Sequence, residues 1–397
     1  MYSAIILGDI HLGKGINIGK AGVGSNLNSR IVDQLNLLEW TLDQAHERSC
    51  DDIILTGDVF EDPKPHPYLI TLFIAWLKKC QAYHVNVHII MGNHDILRSG
   101  SVYSSPLDII SEAGIENVDV YRDINTIYMG TTAFTFVPFR DRKSYNVTSN
   151  AEALALLTDS LVYELSSIPI TYKKVIVGHL AIEGSIPIGD EFDDINNELF
   201  CPIGMFAGYD YVWMGHVHKP QVMSKSPYVA HVGSMDISNF GETDHKKHIV
   251  IVDCNTNEFS IEYLPTRALK KILVTVPKDT VDSTQYVLDE LKKAQNLDKS
   301  IVKVEVSLAV PELKSINKSS IEKYLSEQGV YNVTGISENK KFALIKKDTN
   351  STSIDTKMDV SSAIKTYAQT YIEDKARSEF IDVAMSIFNA YKAEAKE

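Results

Sequence analysis

Leu7–Gly15 reads LGDIHLGKG and follows directly on the apolar run Ala4, Ile5 and Ile6. A run of that length closed by glycine is a buried β-strand, which puts Asp9 and His11 just past its C-terminal end. Open α/β sheets carry their chemistry at that end of the strands. The same construction recurs four times. DDIILTGD ends at Asp58, VNVHIIMGNHD at Asn93, His94 and Asp95, KKVIVGH at His179, and YDYVWMGHVH at His216 and His218. A single G-D or G-N-H-D is an ordinary turn with a capping side chain. Repeated five times after strand-length apolar runs, it is a design.

Glycine lets the chain turn sharply as it leaves a sheet and lets backbone approach a ligand closely, so the next side chain points into a site and not back into the core. Parallel strands then deliver several such side chains to one edge. Asp9, His11, Asp58, Asn93, His179, His216 and His218 together offer carboxylate, amide and imidazole donors without a thiolate. That set suits Mn, Fe or Zn better than a soft metal. It is too large for one tetrahedral ion and fits two ions that share a carboxylate. Two ions about 3.5–4 Å apart clamp a phosphoryl group and stabilise the attacking and leaving oxygens of an in-line displacement, so the expected reaction is phosphoester hydrolysis. His46, His66, His84, His88, His231, His245 and His248 do not follow a strand and glycine in this way and read as surface or supporting residues.

The 397 residues, 44% of them hydrophobic, can bury a substantial core in two or three domains. No apolar run is long enough to span a bilayer and no leader precedes the first strand, so an intracellular protein without membrane attachment is expected. Cys50, Cys80, Cys201 and Cys254 form no C-x-x-C pair, which argues against a disulfide framework and a structural zinc site. The net charge of −13 repels a phosphate backbone unless metals, a local basic surface or a partner offsets it.

The ordered series D-x-H, G-D-x-x-x-D, G-N-H-D, G-H and G-H-x-H resembles the calcineurin-like metallophosphoesterase superfamily. Within it, GDIHLG, GDVF, GHLAIEGS, MGHVHKPQ and HVGSMDISNFGE are similar to the Mre11/SbcD nucleases, over about residues 1–264. The resemblance implies a four-layer α/β/β/α sandwich with a small α+β capping domain and a C-terminal helical pair. It also implies two divalent ions, Mn²⁺ first and Mg²⁺ second. Asp9, His11, Asp58 and His218 would hold one, and Asp58, Asn93, His179 and His216 the other. His94 would protonate the leaving oxygen, with Asp95 fixing its tautomer. The implied function is a DNA nuclease, a 3′-5′ exonuclease or single-strand endonuclease, in a complex with a Rad50/SbcC-type ABC ATPase that processes DNA ends in the cytoplasm. The alternative is a phosphodiesterase or phosphomonoesterase acting on a non-DNA substrate, since fold does not fix substrate. One position departs from the pattern: where many members carry a histidine three residues after the bridging aspartate, this chain has Glu61, followed by Asp62.

The expected domains are 1–268 for the phosphoesterase, 269–347 for a βαβαβ cap, 348–359 for a polar linker and 360–397 for two amphipathic helices. Lys292, Lys293, Lys303 and Lys314 in the cap are candidate phosphate contacts. Val360, Ile364, Tyr367 and Tyr371 share one tail face, and Phe380, Ile387 and Tyr391 another. Faces tethered so far from the core need a partner, and the resemblance makes it the ATPase. HPYLITLFIAWLKKC and SSPLDIISEAGI carry surplus apolar surface that suits a homodimer. GKGINIGKAGVGSNLNSR lacks G-K-[ST] and reads as a mobile rim loop or a solvated connector, and GDEFDDINNELF as an acidic surface loop.

Overall fold

Two six-stranded sheets organise the chain. The computed structural model describes residues 2–22, 26–99, 102–188, 197–256, 258–310 and 312–340, together with 368, 377–378, 380–386 and 388 of the tail. Met1–Lys341 form one compact unit and Phe342–Glu397 a second.

The first sheet runs Phe259–Tyr263, His248–Asp253, Ser3–Leu7, Asp52–Leu55, Asn86–Ile90, Val118–Tyr121. Its last four strands are parallel, and His248–Asp253 is antiparallel to both of its neighbours. The second sheet runs Gln221–Lys225, Tyr228–His231, Tyr211–Met214, Lys173–Gly178, Thr132–Val137, Asn125–Met129, with the middle four parallel. Near-continuous apolar strands need cover on both faces, and alternation assigns each residue its layer. Ala4 and Ile6 enter the core between the sheets with Ile54, Phe134, Phe136, Val175, Val177 and Trp213. Ile5 and Leu7 face the other way, into a core with Leu38, Leu42, Phe73 and Trp76.

That outer core is covered by α1 (Ser29–Glu47), α2 (Pro67–Ala82) and α3 (Pro106–Glu112). Asn28 caps α1 by accepting from Arg30 N, and His66 caps α2 ahead of a proline in its first turn. Trp76 Nε1 donates to the Leu38 carbonyl at 3.0 Å, which satisfies the one polar atom of a buried indole. The outer face of the second sheet packs Leu157 and Leu161 of α4 (Asn150–Ser167) against Ile176, Val212 and Met214. The layers are therefore α/β/β/α, as the motifs imply.

After Arg267 the chain builds a three-stranded parallel sheet, Leu269–Val276, Ile301–Leu308 and Asn332–Lys340, with helices Ser283–Leu291 and Lys318–Glu327 as crossovers. Val276, Val287, Leu291, Val304, Val306, Ile321 and Leu325 form its own core. This is the βαβαβ order read from the sequence. Two of its lysines are already paired on the surface, Lys292 with Asp289 at 2.8 Å and Lys293 with Glu290 at 2.6 Å, and Lys303 lies 2.9 Å from Glu305.

Within the segment 13–30, read as a mobile or solvated loop, the described residues around Ile18 are packed inward. Ile18 is buried with Ile237, Leu269 and Ile301, Asn332 Nδ2 donates to the Ile18 carbonyl at 2.8 Å, and Lys20 Nζ sits 5.0 Å over the Tyr331 ring. Ile18 is buried where the nearby Ile16 stays exposed, and its burial draws this part of the chain inward. Beside it, Arg267 grips Asp33 through Nε at 2.8 Å and Nη2 at 2.6 Å, with its guanidinium 4.0 Å from the centre of the Tyr331 ring.

The four cysteines are free and buried. Among the described residues no helix is long and apolar enough to cross a membrane. In the tail, residues 380–386 are helical. The linker 348–359 and Val360, Ile364, Tyr367, Tyr371, Ile387 and Tyr391 lie outside the described residues.

Candidate metal centre

Parallel strands from both sheets end at one place. Asp9 and His11 follow Ser3–Leu7, Asp58 follows Asp52–Leu55, and Asn93 follows Asn86–Ile90 in the first sheet. His179 follows Lys173–Gly178, and His216 and His218 follow Tyr211–Met214 in the second. Three of these residues take the left-handed backbone conformation that side chains avoid: His11 at φ 46°, Asp58 at φ 47° and His216 at φ 77°. Such strain persists where the surroundings over-determine it, typically at a functional site. The glycines before the ligands answer a different need. A Cβ on Gly92 would collide with Asp58 Oδ1, and one on Gly215 with Asp9 Oδ1.

All seven sequence-derived ligands meet. His218 Nε2 is 2.9 Å from His11 Nε2. Asp58 Oδ2 lies 3.4 Å from His11 Nε2 and 3.2 Å from His179 Nε2, so it stands between two groups of donors. Asn93 Oδ1 is 2.9 Å from both His179 Nε2 and His216 Nδ1. Asp9 Oδ1 accepts from Thr56 Oγ1 at 2.9 Å and its Oδ2 from His216 N at 2.8 Å. The two groups Asp9, His11, His218 and Asp9, Asp58, His179 each bring their ligand atoms within 4.8 Å of one another.

The donor set fits divalent ions. Burial, and next the neighbouring His11, hold the His218 pKa well below the usual imidazole value, and burial lowers that of His11, so both rings stay neutral and able to coordinate. Burial opposes ionisation of Asp58, yet His179 first, and then His94, hold its carboxyl well below the usual range. Two neutral imidazoles with facing nitrogens, beside a buried carboxylate, are chemically a cation site.

His94 stands at the rim. Its ring lies 4.8 Å from that of His11, its backbone N–H donates to Asp58 Oδ1 at 2.8 Å, and it joins His11 and Asp58 in a third group of potential ligands. Burial works against its protonation, but Asp58 and the Glu61 carbonyl outweigh it and raise its pKa. The expected orienting partner, Asp95, is engaged elsewhere. Asp95 Oδ1 accepts from Val59 N and Oδ2 from Gly92 N, both at 3.0 Å, while His94 Nδ1 bonds the Glu61 carbonyl at 2.8 Å. Asp95 is fully buried and ties together the two loops that carry Asp58 and Asn93. A backbone carbonyl, not a carboxylate, fixes the His94 tautomer.

Glu61, the departure from the family pattern, has a defined place. Its Oε2 lies 2.8 Å from His11 Nδ1 and 3.0 Å from Lys14 Nζ. Burial opposes ionisation, but the His11 contact and Lys14 bring its pKa down to about 2. One residue therefore holds a ligand through its side chain and His94 through its backbone. Glu198 is a second addition. The acidic stretch read as a surface loop ends in buried Asn197, Glu198 and Leu199, and Glu198 Oε1 sits 3.3 Å from His216 Nε2. His231 is buried too, bonding the Gly215 carbonyl at 3.0 Å and Ser185 Oγ at 2.8 Å. Lys247 Nζ donates to the His218 carbonyl at 2.9 Å, Ser234 Oγ at 2.7 Å and Glu242 Oε2 at 2.6 Å. His66, by contrast, caps α2.

The profile of the calcineurin-like phosphoesterases matches residues 2–220, a span that contains all seven candidate ligands and His94. The chain belongs to this family. This phosphoesterase is 24% identical to the SbcD component of the SbcCD nuclease of Staphylococcus epidermidis over 277 residues, 67% of this chain and 70% of that protein. It is 27% identical to the DNA double-strand break repair protein Mre11 of Methanopyrus kandleri over 216 residues, 53% of this chain and 43% of that protein. It is also 21% identical to the SbcD component of the SbcCD nuclease of Escherichia coli over 254 residues, 59% of this chain and 63% of that protein. The chain thus spans less than two thirds of the second and third of these relatives.

Proposed function

We propose that this phosphoesterase is a two-metal DNA nuclease, acting as a 3′-5′ exonuclease, a single-strand endonuclease or both. The observation that carries the reading is the convergence of Asp9, His11, Asp58, Asn93, His179, His216 and His218 on one point with His94 at its rim. The similarity to SbcD and Mre11 nucleases supports DNA as the substrate.

Asp9, His11, Asp58 and His218 would hold one divalent ion, and Asp58, Asn93, His179 and His216 the other, with Mn²⁺ the first choice and Mg²⁺ the second. When bound, the ions supply Lewis-acid polarisation of the phosphoryl group and offset its charge. Asp58 has a donor group on either side of it and would serve both ions. With its Nδ1 held by the Glu61 carbonyl, His94 keeps Nε2 for proton transfer to the leaving oxygen. Asp95 keeps the Asp58 and Asn93 loops in register.

The same reading puts the chain in a DNA-end-processing complex in the cytoplasm. Residues 269–347 would act as a DNA-contacting cap and 360–397 as the docking helices for a Rad50/SbcC-type ATPase, with the linker 348–359 between them. Homodimerisation through the α2 and α3 region is supported by Tyr68 at 38% exposure and Ile109 at 51%, apolar side chains left uncovered there.

The test is incubation of the purified protein with end-labelled duplex and single-stranded DNA in Mn²⁺, with Mg²⁺ and chelator controls. Mn²⁺-dependent cleavage is expected, falling by about 10²–10⁴ in His94→Ala. That variant should still fold and bind Mn²⁺, whereas Asp58→Asn should weaken metal binding. Hydrolysis of a generic phosphodiester without cleavage of DNA would overturn the nuclease reading in favour of a non-DNA phosphodiesterase. The net charge of −13 is the feature that favours that second reading.

A further inference from the structure

A cavity of about 320 Å³ shares a wall with the metal centre. Phe139 and Met91 line it. The Phe139 ring packs 5.7 Å from that of His216 and 6.2 Å from that of His179, and Phe139 N donates to the Met91 carbonyl two residues ahead of Asn93. Three arginines from separate stretches also line it: Arg98 in the strand Leu97–Ser99, Arg122 just after Val118–Tyr121, and Arg140 after Thr132–Val137. Nothing in the proposed hydrolysis uses them.

Each guanidinium is anchored. Arg98 Nη1 donates to Asp141 Oδ2 at 2.6 Å, and Arg122 pairs with Asp108. Arg140 donates through Nη1 to its neighbour's carbonyl at Phe139, and through Nη2 to the Arg122 carbonyl at 2.7 Å and Asp123 Oδ1 at 3.1 Å. Three carboxylates thus face three arginines, but they do not offset them equally. The Asp123 side chain is 95% exposed, so water screens its field, while Asp141 is buried and its Oδ1 also accepts from Ser144 N and Oγ. The outcome is a set of guanidinium groups around one space, Arg98 and Arg140 oriented by their anchors and Arg122 at the exposed mouth, with Asp123 and the hydroxyl residues Ser104, Ser105 and Ser144 also in its lining. Pre-oriented forks of this kind match the planar, multidentate geometry of phosphate oxygens.

A nucleic-acid strand carries one phosphate per nucleotide, so a strand with its scissile phosphate at the metal centre must place another nearby. Resting on the phosphodiesterase reading above, we infer that the Arg98–Arg122–Arg140 cavity is a subsite for the backbone phosphate that flanks the scissile linkage. It binds a phosphodiester anion in the strand and takes no part in bond cleavage. Arg122 lies at its mouth, 45% exposed.

The experiment compares short single-stranded oligonucleotides in Mn²⁺ that carry either a natural phosphate or an uncharged methylphosphonate at each linkage next to the cut. Bis-p-nitrophenyl phosphate, which has no flanking phosphate, is the control. The variants are Arg122→Ala, whose exposed ion pair is dispensable for folding, and Arg98→Lys, which keeps a cation beside Asp141 and loses the fork. The wild type should lose about tenfold in kcat/KM when the flanking linkage is neutral, the size of one charge-assisted hydrogen bond. Arg122→Ala should lose the same on the natural strand, show little further loss on the neutral one, and hydrolyse bis-p-nitrophenyl phosphate at the wild-type rate. Cleavage that ignores the flanking charge, or a variant that still discriminates fully, overturns the subsite alone. A wild type that hydrolyses the small diester but no oligonucleotide overturns the nuclease reading, and the subsite with it.

Discussion

Replacing Lys247 by methionine should cost this protein several kcal/mol although it substitutes no candidate metal ligand. The Lys247 side chain is fully buried and makes three bonds, to the His218 carbonyl, to Ser234 Oγ and to Glu242 Oε2, the last at 2.6 Å with Glu242 equally buried. Methionine matches its length and removes the ammonium, so Glu242 becomes a buried carboxylate without its counter-ion. Breaking one side of a buried pair costs about 3–5 kcal/mol. The lower half of that range applies, because Glu242 Oε1 keeps its bonds from Ser238 Oγ at 2.7 Å and Asn239 Nδ2 at 2.6 Å. Against a total stability of about 5–15 kcal/mol this is a large fraction. Thermal unfolding should shift down by roughly 4–6 °C. The double variant Lys247→Met, Glu242→Leu removes both charges and should recover more than half of the loss. A single variant within about 1 kcal/mol of wild type, or a double variant no better than the single, would refute the reasoning.

Other consequences follow from the centre itself. Glu61→Gln should weaken Mn²⁺ binding about tenfold by calorimetry, since the carboxylate beside His11 Nδ1 orients that ligand, and an unchanged Kd would remove this role. Gly92→Ala should abolish metal binding while secondary structure persists by circular dichroism, because the added methyl collides with Asp58 Oδ1; retained binding would mean that the loop yields. His231 gives a pH dependence. Burial pushes its pKa down to about 3 from 6.5, so the unfolded chain takes up a proton between those values and the folded one does not. Stability contributed by neutral His231 is therefore present above pH 6.5 and lost as pH falls toward 3. Between about pH 6 and 4, denaturant unfolding of the wild type should lose about 1.4 kcal/mol per pH unit more than that of His231→Gln, and parallel profiles would contradict this.

The candidate donors that meet at one place were legible in the sequence because their signal is short-range. An apolar run such as Ala4–Leu7, a glycine and a donor lie within about ten residues, and strand geometry alone puts the donor at the strand's end. The parallel order and the βαβαβ of 269–340 follow from the same local alternation of strand and helix signals. The supporting contacts are of another kind. Glu198 reaches His216 across a loop, Arg267 reaches Asp33 across most of the chain, and Lys247 meets the carbonyl of His218.

By itself the sequence determined which residues could bind a metal, which strands carry them, and that a small βαβαβ follows. Tertiary structure decided what each ligand leans on: Glu61 and not Asp95 holds His94, Ile18 pulls its loop into the core, and three arginines frame one cavity. The reason is that a donor's position on a strand depends on neighbouring residues, whereas its partner depends on which distant polar groups are buried beside it. A buried polar group bonds whatever the packing brings within reach, and no local pattern records that choice.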